Sequence, residues 1–336
     1  MTYARPLVQS GGLRPEGALS LAGGACWFTH AAILSRGAPP RIVAAGTLDA
    51  ATRDALCAPR APLAGLAMDR PRVMGIVNVT PDSFSDGGLF EAPEAAAAHA
   101  RALIAAGSDI LDLGGESTRP GAAPVAPEAE AARVVPALSA IRATSAGPIS
   151  VDTRRANVAR AAAAAGVDML NDVSALRHDP EMAAMAAALG LPICLMHSGG
   201  EPATMQDAPA YGDVVLDVYD HLAERVAAAE AAGIPRARIA VDPGIGFGKT
   251  LAHNLALLQH LSLFHALGCA VLLGTSRKRF IGTLGGTDTP AARMPGSVAT
   301  ALYGAAQGVQ FLRVHDVAET VQALTLWRAS ITGDAE

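Results

Sequence analysis

The sequence predicts an α/β protein, a (β/α)8 TIM barrel with a small N-terminal extension. From about residue 72 onward, short apolar runs alternate with alanine-rich helical stretches. Strands that alternate with helices in this way are usually parallel, with the helices covering the sheet. Eight such units in roughly 265 residues fit the strand number and length of a closed barrel.

Eight apolar runs are predicted to form the barrel strands. They are Val73–Asn78, Ile110–Gly114, Ile149–Asp152, Asp168–Asn171, Pro192–His197, Ile239–Asp242, Ala270–Gly274 and Gln310–His315. An open doubly wound sheet is the alternative arrangement. That fold usually carries a GxGxxG glycine pattern after its first strand, whereas the turn here reads Asn78-Val-Thr-Pro-Asp. The closed barrel is therefore favoured.

The stretches between these runs are predicted to be helices. Examples are Ala92–Ala106, Pro127–Arg142, Asn157–Ala165, Asp213–Ala232 and Ala291–Gln307. Several helices are followed by a glycine, which supplies the left-handed C-terminal cap that a short loop needs. These glycines are Gly107, Gly166, Gly190, Gly233, Gly268 and Gly308.

Residues 1–68 do not share this alternation, so we assign them to an N-terminal extension and residues 69–336 to the barrel. The extension is rich in Gly, Pro and Ala, with one predicted strand at Arg41–Ala45 and one predicted helix at Thr47–Leu56. We expect a small α/β appendage packed on the barrel. A mobile tail is the alternative, and the sequence assigns no role to this part.

The composition excludes several classes of protein. Hydrophobic residues make up 51% and charged residues 17%, which is too apolar for a disordered chain. A net charge of −5 gives no reason to expect nucleic acid or an anionic membrane as a partner. The apolar stretch Leu19–Leu34 is too short to span a bilayer, and no signal peptide is evident. Four cysteines without a CxxC pair indicate buried thiols. We therefore expect a cytoplasmic protein.

Polar side chains follow nearly every predicted strand. In a barrel, the carboxyl ends of the strands carry the chemistry. Acids and an amide (Asp152, Asn171, Asp242) and cations (Lys278, Arg313, His315) would therefore all point into one barrel mouth. Each alone has a simpler interpretation, since an Asp after a strand is often a helix cap. Together they favour a functional site.

The mixture of charges indicates a ligand with two parts. Buried carboxylates suit a ring with paired N–H donors, because one carboxylate accepts two hydrogen bonds. Arginine and histidine suit phosphate oxygens, and an Asn side chain can hold a Mg²⁺ that keeps most of its waters. The residues thus indicate an enzyme that joins a nitrogen heterocycle to a second molecule through a phosphorylated leaving group.

Two further features near the predicted strand ends have simple interpretations. Gly244–Thr250 ends in GKT like a phosphate loop, but Pro243 stands where the Walker pattern requires Gly. A nucleotide triphosphatase is therefore disfavoured. His197 could be a hydrogen-bonded histidine at the rim, and Lys249 could be a solvated residue at a helix start.

Two long motifs are Met74-Gly-Ile-Val-Asn-Val-Thr-Pro-Asp-Ser-Phe-Ser-Asp-Gly-Gly88 and Asp109-Ile-Leu-Asp-Leu-Gly-Gly-Glu-Ser-Thr-Arg-Pro-Gly121. Both resemble signature motifs of the dihydropteroate synthase family. Shorter ones follow in the family order, including Ser150-Val-Asp-Thr, Asn171-Asp-Val, Asp242-Pro-Gly and Arg313-Val-His-Asp. The resemblance covers about residues 71–330. It implies condensation of 6-hydroxymethyl-7,8-dihydropterin pyrophosphate with p-aminobenzoate, with Mg²⁺, to give 7,8-dihydropteroate and pyrophosphate in folate biosynthesis.

The resemblance also implies residue roles. The pterin would be held by Asp152, Asn171, Met196, Asp242, Phe247 and Lys278. The pyrophosphate would be held by Asn78, Thr118, Arg313 and His315, with the metal at Asn78. The p-aminobenzoate pocket would be formed by Arg119, Pro120, Phe247, Lys278 and Arg279. The catalytic residues would be Asp86, Lys278, Arg313 and His315. Many relatives have Ser where Arg279 stands, so the part played by Arg279 is open.

Two other functions are compatible with a pterin barrel. One is a methyltetrahydrofolate-binding methyltransferase domain of the corrinoid type, which has no use for a pyrophosphate site and so does not explain Arg313 and His315. The other is a non-catalytic relative that only binds pterin. The family resemblance also implies a homodimer and inhibition by sulfonamides, which mimic p-aminobenzoate.

Overall fold

The computed structural model describes residues 2–80, 92–117, 125–200 and 204–333. Its centre is a closed barrel of eight parallel strands in chain order, with the last strand paired to the first through Phe311 and Arg72. The barrel strands are β6 (Arg72–Asn78), β7 (Ile110–Gly114), β8 (Ile149–Asp152), β9 (Met169–Asp172), β10 (Ile193–Met196), β11 (Ile239–Asp242), β12 (Ala270–Leu273) and β13 (Phe311–Val314). The predicted TIM barrel is confirmed.

Each predicted strand overlaps an observed one, with small differences at the ends. The fourth begins at Met169 and extends to Asp172. Asp168 is excluded because its carboxylate accepts a hydrogen bond from the backbone N of Ile149 at 2.8 Å, beside the start of β8. It therefore anchors the loop between two strands.

Helices cover the outside of the barrel. They are α2 (Ala92–Ala105), α3 (Pro127–Arg142), α4 (Ala156–Ala164), α5 (Met182–Leu189), α6 (Val214–Ala231), α7 (Leu251–Gln259), α8 (Arg279–Gly285), α9 (Met294–Ala306) and α10 (Val317–Thr332). The α-helix predicted from Ala291 begins three residues later, because Pro290–Arg293 forms a 3-10 turn. All six glycines predicted as caps have positive φ, between 64° and 98°.

Successive side chains of each strand point to opposite sides of the barrel wall, which gives two apolar layers. One set, for example Val73, Leu111 and Leu195, belongs to the large core shared with the helices. The alternate set, for example Met74 and Met169, forms a second core cluster in the barrel interior. Aliphatic side chains dominate both clusters, which is why few aromatic residues are needed.

The second cluster also contains residues from the chain that precedes the first barrel strand. Leu63 and Met68 are 1% and 3% exposed and pack with Met74, Ile110 and Phe311. These partners come from the amino-terminal halves of their strands. Leu63 and Met68 therefore close the amino-terminal end of the barrel.

In residues 2–68, the extension contains five short strands, one 3-10 turn (Ala45–Thr47) and one α-helix. They are β1 (Tyr3–Pro6), β2 (Leu19–Ser20), β3 (Trp27–Phe28), β4 (His30–Ser35), β5 (Ala38–Ala44) and α1 (Ala50–Cys57). Strands β1, β4 and β5 form an antiparallel sheet, and β2 pairs with β3. The predicted strand lies largely within β5, and the predicted helix begins at Ala50 because Asp49 caps it through the backbone N of Thr52.

The extension contacts the outer layer of the barrel. The Tyr3 hydroxyl donates to Asp220 of α6 at 2.9 Å, and Arg36 forms ion pairs with Asp217 and Asp220. The Ser262 hydroxyl donates to the carbonyl oxygen of Pro6 at 2.9 Å.

None of the helices in the described part of the chain combines the length and apolarity needed to cross a bilayer.

Candidate active site

Three polar residues lie at or next to the carboxyl ends of three barrel strands. Asp152, Asn171 and Asp242 lie on β8, β9 and β11 and are only 4–6% exposed. Asn171 is also the register partner of Asp152 and donates through Nδ2 to Asp112 Oδ2 at 3.1 Å. The barrel wall thus gathers three carboxylates and an amide in its interior.

Arg313 joins two of these carboxylates. Its Nε donates to Asp112 Oδ2 at 2.6 Å, and its Nη2 donates to Asp152 Oδ2 at 3.0 Å. Its Nη1 has no hydrogen bond to the part of the chain that the structure describes. Burial raises the pKa of Asp152 to about 8, and Arg313 opposes that rise. The guanidinium is therefore fixed at two points and keeps one nitrogen for a ligand.

Three oxygen atoms in this interior have no partner among the described residues. They belong to Asp112 (Oδ1), Asp152 (Oδ1) and Ser150 (Oγ), and all are buried. A buried polar group without a partner costs about 1–3 kcal/mol. The arrangement is therefore suited to a ligand that donates hydrogen bonds into the barrel mouth.

Lys278 stands beside Asp242. A Cβ atom placed on Gly274 would lie 3.8 Å from Lys278 Nζ and 3.9 Å from Asp242 Oδ2, so the glycine leaves room between them. Nζ donates to the carbonyl oxygen of Ile245 and lies 4.6 Å from the centroid of the Phe247 ring. Burial lowers the pKa of Lys278 to about 8 and raises that of Asp242, and each charge opposes the shift of the other.

Three other predicted binding residues border the same space in different ways. Met196 ends β10 and is 3% exposed, whereas Phe247 is half-buried in the loop after β11. Arg279 is exposed at the start of α8. Met196 and Phe247 thus offer apolar surface near the carboxylates, while Arg279 stands at the rim.

The predicted phosphate side of the site lies on β6 and β13. Asn78 ends β6, and a Cβ atom on its register partner Gly114 would lie 3.7 Å from Asn78 Oδ1. The backbone N of His315 lies 3.1 Å from Ser276 Oγ, and His315 Nδ1 lies 3.0 Å from the same atom. Ser276 therefore fixes the orientation of the His315 ring.

The donor atoms near Asn78 fit a hard cation that keeps most of its waters. One neutral amide oxygen can take a single position on Mg²⁺, leaving the others to water and phosphate. No group of three metal-ligating side chains occurs in the described ranges, so a cation held entirely by such side chains has no candidate there.

Four predicted site residues, Asp86, Thr118, Arg119 and Pro120, lie outside the described residues.

A buried ion-pair network holds the described residues on either side of 118–124. Glu116 Oε1 accepts from the backbone N of Val125 at 3.0 Å, and Arg155 Nη2 donates to the carbonyl oxygen of Val125 at 2.7 Å. Arg155 also pairs with Glu116 and Glu130, all three being less than 9% exposed. The two chain ends are thereby tied to each other and to the start of α4.

Lys249 is not the solvated residue that its position suggested. It is 3% exposed, and its Nζ contacts His197 Nδ1 at 2.9 Å and the carbonyl oxygens of Gly244 and Phe247 at 2.8 and 2.9 Å. The solvated interpretation is wrong because the loop after β11 folds back over the side chain. His197 is buried and hydrogen-bonded, as its simpler interpretation held.

The residue-by-residue interpretation missed Asp112 and Ser276. Asp112 lies between two leucines within a buried strand, which is a signal in itself, since a buried charge is normally paired. It is also two residues before Gly114, so it shares the inward side of β7. Ser276 carries no comparable signal, because its partner His315 is 39 residues away.

A closed parallel barrel with carboxylates, an amide and cations at its carboxyl end defines a class of ligand-binding barrel enzymes. The family model described as "Pterin binding enzyme" matches residues 74–315. The chain therefore belongs to the pterin-binding enzyme family. Within that family, the chain is similar to dihydropteroate synthases.

Three of these relatives illustrate the similarity. Dihydropteroate synthase of Escherichia coli (strain K12) is 46% identical over 267 residues, 80% of this chain and 94% of that protein. The structure of the Xanthomonas albilineans enzyme with 4-aminobenzoic acid is 53% identical, with a TM-score of 0.76 over 81% of this chain and 98% of that one. The Yersinia pestis enzyme, in a sulfonamide drug complex, is 44% identical with the same TM-score and coverage. The chain is thus a transferase of the dihydropteroate synthase family.

Proposed function

We propose that this chain condenses 6-hydroxymethyl-7,8-dihydropterin pyrophosphate with p-aminobenzoate, giving 7,8-dihydropteroate and pyrophosphate. The observation that carries the proposal is the buried carboxylate set with unpartnered oxygens, Asp112 Oδ1 and Asp152 Oδ1. A pterin has several N–H donors on one edge, and these would satisfy such oxygens. Family membership supports the same reaction.

The pterin would lie on the floor formed by the strand ends. Asp152, Asn171 and Asp242 would pair with its nitrogen edge, because carboxylate and amide oxygens accept from N–H groups. Lys278 would donate to an acceptor of the ring. Met196 and Phe247 would pack against its faces, since both offer apolar surface beside these polar groups.

The pyrophosphate would lie toward β6 and β13. Arg313 would use its remaining Nη1, and His315 would use its ring, to contact phosphate oxygens. Thr118 would contribute by family resemblance. Asn78 would hold Mg²⁺, which when bound neutralises part of the charge on the leaving group.

The reaction breaks the bond between the exocyclic CH2 carbon and the pyrophosphate oxygen. The electron pair leaves with the pyrophosphate, and the amine nitrogen of p-aminobenzoate forms the new C–N bond and then loses a proton. The pterin can stabilise a cation at that carbon, so the chain's task is to bind the leaving charge and exclude water. Arg313 and His315 would do the first, and Asp86 would help to shield the cation.

The p-aminobenzoate would bind at the rim. Arg119 and Pro120 are assigned there by family resemblance, and Phe247, Lys278 and Arg279 would border the same pocket. Arg279 would face the carboxylate of the substrate. The Xanthomonas albilineans relative was solved with 4-aminobenzoic acid, which supports this substrate.

Sulfonamides mimic p-aminobenzoate and should inhibit this chain competitively. The Yersinia pestis relative was solved in complex with a sulfonamide drug. Inhibition that added p-aminobenzoate does not relieve would count against a shared pocket. A homodimer and a cytoplasmic location stay predictions of the sequence.

The proposed reaction has a direct assay. The purified chain is incubated with the pterin pyrophosphate, p-aminobenzoate and Mg²⁺, and both dihydropteroate and pyrophosphate are measured. We expect the two products in equal amounts, and none when p-aminobenzoate is left out. Absence of dihydropteroate in the complete mixture would refute the proposed function.

A further inference from the structure

Lysine is rare in this chain. Of its 26 basic residues, only Lys249 and Lys278 are lysines, and the rest are arginines. Lys278 belongs to the site already described. Lys249 has no assigned role, yet it is buried next to that site at 3% exposure. Both lysines therefore lie at or beside the candidate site, where the compact ammonium group of lysine differs in geometry from a guanidinium.

Three partners lie within 3.0 Å of Lys249 Nζ, at 2.8 Å (Gly244 O), 2.9 Å (Phe247 O) and 2.9 Å (His197 Nδ1). A fourth, the carbonyl oxygen of His197, lies at 3.4 Å. An ammonium group has three donors around one nitrogen, whereas a guanidinium spreads its donors over a planar fork. The acceptors converge on a single point, so lysine fits them and arginine does not.

The His197 ring is a neutral partner in this arrangement. Burial, together with the Lys249 charge, lowers the pKa of His197 to about 2. The Nδ1 atom lies 2.9 Å from Lys249 Nζ, and burial lowers the pKa of Lys249 itself well below its ordinary value, a shift that Asp242 opposes. The two side chains share one hydrogen bond, whichever of them donates. The neighbouring His221 ring lies 4.8 Å away, and burial lowers its pKa to about 4. Both imidazoles are therefore uncharged near neutral pH.

Lys249 also secures a loop in which the carbonyl groups of Gly244 to Gly248 all accept hydrogen bonds from side chains. Besides the two it holds itself, Ile245 O accepts from Lys278, Gly246 O accepts from Gln206 at 2.6 Å, and Gly248 O accepts from Tyr211 at 2.8 Å. Five consecutive carbonyls are thus fixed. This backbone is immobilised by five hydrogen bonds, and Lys249 supplies two of them.

The loop after β11 packs closely against His197 and Lys278, so it has little room to move. Gly244 has φ +66°, and a Cβ atom there would come within 1.9 Å of His197 O. A Cβ atom on Gly246 would lie 3.1 Å from Cδ of Lys278. The same loop carries Phe247, whose ring faces the Lys278 ammonium at 4.6 Å. Moving the loop would therefore move two groups assigned to the pterin.

We propose that Lys249 is a positioning residue for the pterin subsite. Its ammonium ties the end of β10 to the loop after β11, and so sets Phe247 and the Ile245 carbonyl against Lys278. This inference rests on the proposed function for the identity of the ligand. It assigns to Lys249 no contact with substrate.

The test compares Lys249→Met with Arg238→Met. Methionine keeps the length and apolar volume of the side chain but removes all three donors. Arg238 provides the matched control, since it donates to the carbonyl oxygen of Gly190 at 2.9 Å on an exposed surface outside the site. Affinity for the pterin pyrophosphate is measured by calorimetry, and KM for p-aminobenzoate is measured by turnover.

We expect Lys249→Met to weaken pterin binding at least about 10-fold and to raise KM for p-aminobenzoate by a smaller factor, because Phe247 and Lys278 also border that pocket, while Arg238→Met changes neither. Lys249→Arg should resemble Lys249→Met, because a planar fork cannot serve three converging acceptors. Unchanged pterin affinity, or a loss confined to p-aminobenzoate, would overturn the proposal. If the wild type binds pterin in a Lys249-dependent way but makes no dihydropteroate, the proposed function fails and this inference stands.

A second measurement decides the matter if Lys249→Met does not fold. Nitrogen-15 NMR of wild-type His197, assigned with a His197→Gln variant, reports the charge of the ring and whether Nδ1 is hydrogen-bonded. A neutral ring with a hydrogen bond at Nδ1 is required at pH 7. An imidazolium ring, or a neutral ring without a hydrogen bond at Nδ1, would overturn the proposal, because Lys249 would then not be tied to the end of β10.

Discussion

The two ends of the barrel are built by the same eight strands but differ in polarity. At the amino-terminal end, Met74, Ile110 and Phe311 point inward and pack with Leu63. At the carboxyl end, the inward positions hold carboxylates, an amide and Arg313. In β7, Ile110 and Asp112 are successive inward-facing residues. The barrel interior therefore changes from apolar to polar between one inward-facing residue and the next.

The difference separates stability from function. Apolar burial at the closed end contributes to folding, whereas the buried carboxylates at the open end are costly until a ligand satisfies them. We therefore expect substitutions at the closed end to lower the free energy of unfolding, and substitutions at the open end to lower binding and turnover.

The largest effect is expected from two arginines on adjacent strands, one at each end. Arg313→Met should lower kcat/KM by about 100- to 1000-fold, because it removes the charge that orients Asp112 and Asp152 and that we propose contacts the leaving group. Arg72→Met should leave kcat/KM nearly unchanged, since Arg72 pairs with Asp69 and Asp109 at the other end. Steady-state kinetics measures kcat/KM for both variants. Equal losses of kcat/KM in Arg313→Met and Arg72→Met would contradict the assignment of function to the carboxyl end alone.

A second prediction concerns Leu63, which helps to close the amino-terminal end of the barrel. Leu63→Ala should lower the free energy of unfolding by about 2–5 kcal/mol, because it leaves a cavity among buried side chains. Leu326→Ala is the control, because Leu326 is 63% exposed and should change stability by less than about 0.5 kcal/mol. Urea denaturation measures both. Unchanged stability of Leu63→Ala, or a loss of kcat in the folded variant, would contradict the assignment.

A third prediction is a pH dependence at the open end. The folded pKa of Asp152 is raised to about 8, against about 3.9 for an unfolded Asp. Between these values the native state holds a proton that the unfolded state has lost, so this contribution to stability is present below pH 4 and is lost as pH rises to 8. Asp152→Asn removes it, so its stability relative to the wild type should increase from pH 5 to pH 8. A constant difference in urea denaturation would refute this.

The smallest effect is expected on the outer surface. Arg36 and its partners Asp217 and Asp220 form exposed ion pairs, which contribute little because water screens them. Arg36→Ala should leave the thermal midpoint and both KM values unchanged within error. A raised KM for either substrate would show that the extension influences the site through α6.

Much of the barrel could be predicted from the sequence because its signals are local. Apolar runs, alanine-rich helices and capping glycines follow from periodicity and backbone sterics, and all eight strands lie where the runs indicated. The boundary at Met68 is harder to locate. Leu63 precedes it in sequence yet packs inside the barrel, a contact between distant segments that no local pattern encodes.

The site was predictable where a polar residue ends a strand, as for Asp152 and Asp242. The partners of those residues were not, because Arg313 lies 161 positions from Asp152 in the chain. Lys249 shows the same limit, since its burial depends on how the loop after β11 folds against His197. Spacing identifies candidates, but only the fold shows which atoms remain unpaired.

The most direct test of the polar end is the affinity for the pterin pyrophosphate. It is measured by calorimetry for the wild type, for Asp242→Asn and for Leu63→Ala. We predict that Asp242→Asn weakens binding by about 1–3 kcal/mol, since a charge-assisted contact is lost, and that Leu63→Ala binds like the wild type. Unchanged affinity in Asp242→Asn would contradict the assignment of the strand ends as the pterin site.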